Sequence, residues 1–115
     1  MRILDVDAAS HSDSLRLTPH LLEDEAVISG FLASAGAVLF TARRIVIVTR
    51  EHLLDERVET SSYPYREVRS FALQETADGR SSLRIWLGEE EHPLHLRARP
   101  GTDLSGLQRL LADRL

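Results

Sequence analysis

The chain has 115 residues, 43% of them apolar and 28% charged, which is the length of one domain and enough to close an ordinary core without metal or disulfide. Cysteine is absent, which excludes a disulfide scaffold, a Cys-based zinc site and a thiol nucleophile. All 14 basic residues are arginine and the formal charge is −4, a balance that argues against non-specific nucleic-acid binding and against general attraction to anionic membranes.

Residues 1–14 are polar and unpatterned after Ile3 and Leu4. They read as a mobile arm ahead of a domain over 15–115, with Ile3, Leu4 and Val6 able to dock on a neighbour. The amino end has no apolar stretch of signal-peptide length, and no run approaches the ~20 residues that span a bilayer. The expected location is therefore the cytoplasm. The run "LRLTPHLLEDE" then carries a helix-start signal. Thr18 is placed as the N-cap, Pro19 as the first helical residue, and Leu17 with Leu22 as a hydrophobic staple, for one or two turns.

From Ala26 to Arg99 the pattern is consecutive strands, over 26–33, 36–41, 44–50, 56–63, 67–76, 82–88 and 92–98. The separating stretches are too short for crossover helices, so the pairing is expected to be antiparallel. Asp78-Gly79 is a strong turn signal. The end, "GTDLSGLQRLLADRL", is an amphipathic helix capped by Thr102 or Asp103, with Leu104, Leu107, Leu110, Leu111 and Leu115 on one face. Arg109 and Arg114 suit its carboxyl end. These elements predict an α+β domain, a sheet covered by one leucine-faced helix.

Several strands are apolar on both sides, whereas a half-exposed antiparallel strand alternates. In "RRIVIV", Ile45 and Ile47 point one way and Val46 and Val48 the other. "AVLF" splits likewise into Ala37 with Leu39 and Val38 with Phe40. "LRIWL" sets Leu83, Ile85 and Leu87 against Arg84 and Trp86, so the chain's one tryptophan is expected on the non-core side. Either a strongly bent sheet is wrapped by its own chain, or a second copy covers the outer positions. On the second reading the interface residues are Val46, Val48, Arg84 and Trp86.

Groups for chemistry are sparse. His92 and His95, three apart in a strand, face opposite sides, and no Cys/His or H-E-x-x-H spacing occurs, so no metal site is expected. "EDE" at 23–25 and "EEE" at 89–91 read as solvated turn charge. No glycine-rich phosphate loop is present, and no cofactor is expected. Arg43, Arg44, Arg66 and Arg69 are the candidates for an anion or lipid-headgroup site. Tyr63-Pro64-Tyr65 reads as a structural corner, because proline cannot donate to a sheet ladder and a catalytic tyrosine wants a neighbouring Lys or His.

The sequence resembles the bacterial pleckstrin-homology domain family over about residues 15–114. The resemblance is carried by Leu22 with Glu25 and Val27, by Phe40, Thr41, Arg44 and Ile45, and by "SSYPYREVRSFALQET". In that last run Ser62, Pro64, Tyr65, Val68, Phe71, Glu75 and Thr76 match the family pattern. It implies a strongly bent seven-stranded antiparallel sheet, a partial barrel capped by a carboxyl-terminal helix. It also implies a non-enzymatic module that mediates protein–protein contacts and assembles into closed rings of identical copies. Two departures matter. "EHLLDERVETS" stands where members often have a glycine-rich turn and lysines, and "AVISGFLASAGAVLF" lacks the basic residues of phosphoinositide-binding relatives. Phosphoinositide binding is therefore not carried over. The expected partners are the chain itself and a further protein, with neither nucleic acid nor membrane; a headgroup-binding module and a small enzyme are the competing readings.

Overall fold

A computed structural model describes residues 2–8, 21–34, 36–52, 56–99 and 102–114. Among them are eight strands: β1 (Arg2–Ala8), β2 (Val27–Ala33), β3 (Gly36–Thr41), β4 (Arg44–His52), β5 (Glu56–Pro64), β6 (Val68–Glu75), β7 (Ser81–Leu87) and β8 (Leu94–Ala98). A 3₁₀ turn, Tyr65–Glu67, precedes β6, and one α-helix, α1 (Ser105–Arg114), follows β8. The seven strands expected from sequence all occur, each end within two residues of its expected place. The chain divides into two compact units, residues 1–7 with 64–115 and residues 8–63.

In the first unit the strand order is β1-β8-β7-β6. Strands β6, β7 and β8 form an antiparallel meander, and β1 adds to β8 in parallel, with Asp5 opposite Arg97 and Val6 opposite Ala98. Arg2–Ala8, expected within a mobile arm, thus forms a strand that adds to the seven expected ones. Leu4, Val6 and Ala8 alternate with Ile3, Asp5 and Asp7, the period-2 pattern of a strand, and Val6 is fully buried. Residues 9–14 lie outside the described residues. One face of the sheet carries buried Leu83, Ile85, Leu87, Leu94, Leu96 and Ala98. Leu107, Leu110 and Leu111 of helix α1 are buried as their spacing requires, as is Leu104 just before it; Leu115, expected on the same face, lies outside the described residues. Asp103 accepts the backbone N–H of Ser105 at 2.9 Å, which satisfies a donor at the helix start. At the β6–β7 turn Gly79 has φ +84°, a conformation other residues rarely adopt.

In the second unit the order is β5-β4-β3-β2, with β2, β3 and β4 antiparallel. Gly36 is required where β3 meets β4, because a Cβ there would lie 1.9 Å from the Val48 carbonyl oxygen. The expected helix start falls partly outside the described residues, which exclude Leu17, Thr18 and Pro19. Residues 21–26 form a turn instead, closed by the Glu25 N–H on the Leu22 carbonyl at 3.0 Å. Leu22, the proposed staple residue, is 52% exposed, while Leu21 packs on the core.

Candidate functional site

Strand β7 alternates as its sequence requires. Leu83, Ile85 and Leu87 are buried, while Ser82, Arg84 and Trp86 lie half-buried on the opposite face. The pairing extends that face across the sheet of the first unit. Trp86 stands opposite Ser70 of β6, and Arg84 lies between Ala72 of β6 and His95 of β8. The Arg84 guanidinium sits 5.4 Å from the centre of the Trp86 ring, a cation–π contact between neighbours on this face. His95 completes the patch. Its Nε2 is buried and has no hydrogen-bond partner among the described residues. Burial, followed by the charges of Arg97 and Arg84, lowers its pKa and keeps the ring neutral. A buried polar atom without a partner is costly, and here it belongs to the residue opposite Arg84 in the sheet.

Val46 and Val48, the other two expected interface residues, are placed differently. They are 0% and 3% exposed and cluster with Ala37 and Leu39, with Leu21, Val27 and Leu32 packed against them. Phe31, Val38, Phe40, Ile45 and Ile47 are buried on the other side of the same strands. Phe31 and Phe40 meet edge to face at 6.1 Å. The two-sided apolar pattern of β3 and β4 is therefore a core covered by the chain's own residues, not a face left open for a partner.

A polar clasp holds the covering turn in place. Arg44 donates from Nε to Glu25 Oε2 at 2.9 Å and from its terminal nitrogen to Oε1 at 2.8 Å, a bidentate pair. Glu25 also accepts the Thr41 hydroxyl at 2.7 Å and the Leu22 N–H at 3.1 Å. Thr41, fully buried, accepts the N–H groups of Arg43 and Arg44, each at 3.1 Å. Arg44 reaches Ser62 as well. The Arg44 guanidinium, more than the other partners, holds the Glu25 carboxyl down to about 2. Glu25, Thr41, Arg44 and Ser62 are all motif residues, and the structure gives them one mechanical job.

This engagement bears on the arginines considered for anion binding. Arg44 is committed to Glu25, and Arg43 pairs with Asp24 at 2.9 Å. Arg66 is exposed in the 3₁₀ turn, and Arg69 donates to the Glu90 carbonyl at 3.0 Å. Of the carboxylates at 23–25, Glu25 is structural and its neighbours are exposed; Glu89, Glu90 and Glu91 are exposed in the turn after β7. No three His, Asp or Glu side chains among the described residues gather in a way that could hold a metal ion. No helix among them is long and apolar enough to cross a membrane.

The Tyr-Pro-Tyr corner is architectural. Pro64, at φ −64°, ends β5 and leads into the 3₁₀ turn. Tyr65 is 7% exposed, and the Arg114 guanidinium of α1 covers its ring at 5.1 Å. Downstream, the Glu67 carbonyl accepts the Gly88 N–H at 2.7 Å, tying the corner to the end of β7. Thr76 then shapes the β6–β7 turn: its N–H reaches the Arg80 carbonyl at 2.9 Å and its hydroxyl reaches Asp78.

Comparison with known proteins agrees with this architecture. The family model for the bacterial PH domain matches residues 5–115. The chain belongs to that family. It is 29% identical over 75 residues to the uncharacterized protein YjqA of Bacillus subtilis (strain 168), covering 64% of this chain and only 60% of the relative's length. Among solved structures, a DUF1696 family protein with a pleckstrin-homology domain from Shewanella loihica PV-4 superposes with a TM-score of 0.76 at 20% identity, over 95% of this chain and 96% of that one. A pleckstrin homology domain from Shewanella amazonensis SB2B gives 0.68 at 23% identity, over 90% and 96% of the two chains. The fold is therefore PH-like, with eight described strands and one helix.

Proposed function

We propose that this PH-like chain is a non-catalytic interaction module in the cytoplasm that associates with copies of itself in a closed ring and presents that assembly to a further protein. The Trp86 face of the β6-β7-β8 meander is the contact surface. The observation that carries the reading is Trp86 itself, half-buried on the non-core face of β7 with Arg84 stacked over it. Tryptophan and arginine dominate the energetic centres of protein interfaces, because each gives a large, stiff contact area with a polar handle. His95 supports the same surface, since its buried Nε2 gains a partner if a neighbouring copy offers a donor or acceptor. A head-to-tail contact of this kind repeats until it closes, which is how identical chains build a ring. Size-exclusion chromatography with light scattering tests the proposal. The wild type is expected as a multimer, and Trp86→Ala as a smaller species that keeps its far-UV circular dichroism and a cooperative unfolding transition. A strict monomer at tens of micromolar contradicts it, as does a multimer whose mass Trp86→Ala leaves unchanged.

A further inference from the structure

The first unit holds a hollow that no motif of the sequence points to. Its floor is one cross-strand row, Gln74 of β6, Ser82 of β7, Arg97 of β8 and Asp5 of β1, each opposite the next in register. Arg80, from the β6–β7 turn, and Arg99, just after β8, complete its lining. The volume is about 380 Å³, at the small end of the range for ligand sites.

The whole sequence is formally −4, yet three arginines gather in this lining with one carboxylate, Asp5, among the described residues; Asp7 and Asp78, outside the lining, pair with Arg99 and Arg80. A neighbouring hollow of about 440 Å³ shares Arg80 but is lined by Glu75 and Asp103, so its balance is acidic and it is no competitor for an anion. The arginines are also pre-positioned. Arg97 forks onto Asp5 at 2.8 and 3.0 Å, Arg99 meets Asp7 at 2.6 Å, and Arg80 lies 3.6 Å from Asp78. A guanidinium has five N–H donors, and the Arg97 fork occupies two of them. All three pairs are about half-exposed or more, so each is weak and yields readily to a better-placed acceptor. The serine hydroxyl and the Gln74 amide add neutral donors. Oriented cations and hydroxyl groups around a small volume are what a phosphoryl group or a clustered carboxylate requires.

We infer that this hollow binds a small organic anion, a phosphate ester or a polycarboxylate, through Arg80, Arg97 and Arg99 with Ser82. The site is distinct from Arg43, Arg44, Arg66 and Arg69, and it does not depend on the self-association reading. The shared chemistry is an oxyanion with two or more negative charges, and its source is a soluble metabolite rather than a lipid surface.

The test is a titration of the full chain with pyrophosphate and, separately, with citrate, at ionic strength held constant by chloride and followed by amide chemical shifts. Saturable shifts are expected at Ser81, Ser82, Arg97 and Arg99, with a midpoint on the order of 1 mM or below. Arg99→Ala and Arg80→Ala are each expected to weaken binding on the order of tenfold, the size of a lost charge-assisted hydrogen bond. Arg109→Ala, which removes the same charge from an exposed helix position, is expected to leave it unchanged. Trp86→Ala also keeps the titration, which separates this site from the contact surface. Shifts spread over the whole chain, equal weakening by Arg109→Ala, or no saturation with either probe overturns the inference. Sedimentation with phosphatidylcholine vesicles containing phosphatidic acid, in the absence of any response to the soluble probes, overturns it too.

Discussion

Strands β3–β4 of the second unit and strands β7–β8 of the first both carry large apolar side chains beyond what one buried face needs. They resolve that excess in opposite ways. In β3–β4 both faces are buried: Val46 and Val48 lie under Leu21, Val27 and Leu32, and Ile45, Ile47 and Phe40 are buried on the other side. In β7–β8 one face is closed by leucines, while Trp86, Arg84 and His95 remain half-exposed. A two-sided apolar run without charge reads as core, because its own chain can cover it at no desolvation cost. A run in which arginine shares the face with tryptophan keeps that face partly open to water.

The contrast predicts effects of very different size. The largest falls on the clasp over β3–β4. Glu25→Ala leaves the Arg44 guanidinium, 20% exposed, without its buried partner, and is expected to cost about 3–5 kcal/mol in urea unfolding. A loss below 1 kcal/mol would show that the turn is held by Leu21 alone. Acid acts on the same group. The Glu25 carboxyl falls from 4.5 to about 2 on folding, so its contribution is complete above the unfolded value and is lost as pH drops from 4.5 toward 2. Integrated over that window the contribution is roughly 3 kcal/mol. The acid limb of the stability curve should flatten in Glu25→Gln; an unchanged limb would assign it to other carboxylates.

Next in size is Val46→Ala, expected to lower stability by about 2 kcal/mol because the buried cavity has little room to collapse. Trp86→Ala, a much larger truncation, should cost only about 1 kcal/mol in the isolated chain, the worth of a half-exposed cross-strand and cation–π contact. If the order is reversed, Trp86 belongs to the core and the contrast between the regions fails. The smallest effect is expected at Arg97→Ala, which removes a pair with Asp5 that is about half-exposed on both sides. Its cost should stay under about 1 kcal/mol and vanish in high salt, whereas that of Glu25→Ala should persist there.

Most of the fold was written locally. Alternation and turn residues placed seven strands, and leucine spacing placed α1. Strand β1 was missed because its signal is short, alternating Leu4, Val6 and Ala8 with two aspartates, and because its partner β8 lies some ninety residues away in a parallel register that no local pattern encodes. The site was legible in part. Strand parity put Arg84 and Trp86 on the non-core face, as observed. The same parity could not tell that Val46 and Val48 are roofed by a turn, since that depends on Glu25 meeting Arg44 across 19 positions. His95 was weighed only as a metal ligand with His92, because its place opposite Arg84 is a cross-strand fact rather than a spacing within one strand.

Trp86 is the chain's one tryptophan, so its emission reports on this surface without labelling. The most direct test of an open Trp86 face used for self-association is to follow that emission on dilution, with far-UV circular dichroism recorded alongside. The expected result is a shift to longer wavelength as the assembly comes apart, with unchanged secondary structure. An emission maximum that stays fixed while light scattering shows the mass falling would contradict it, and would move the contact surface elsewhere on the chain.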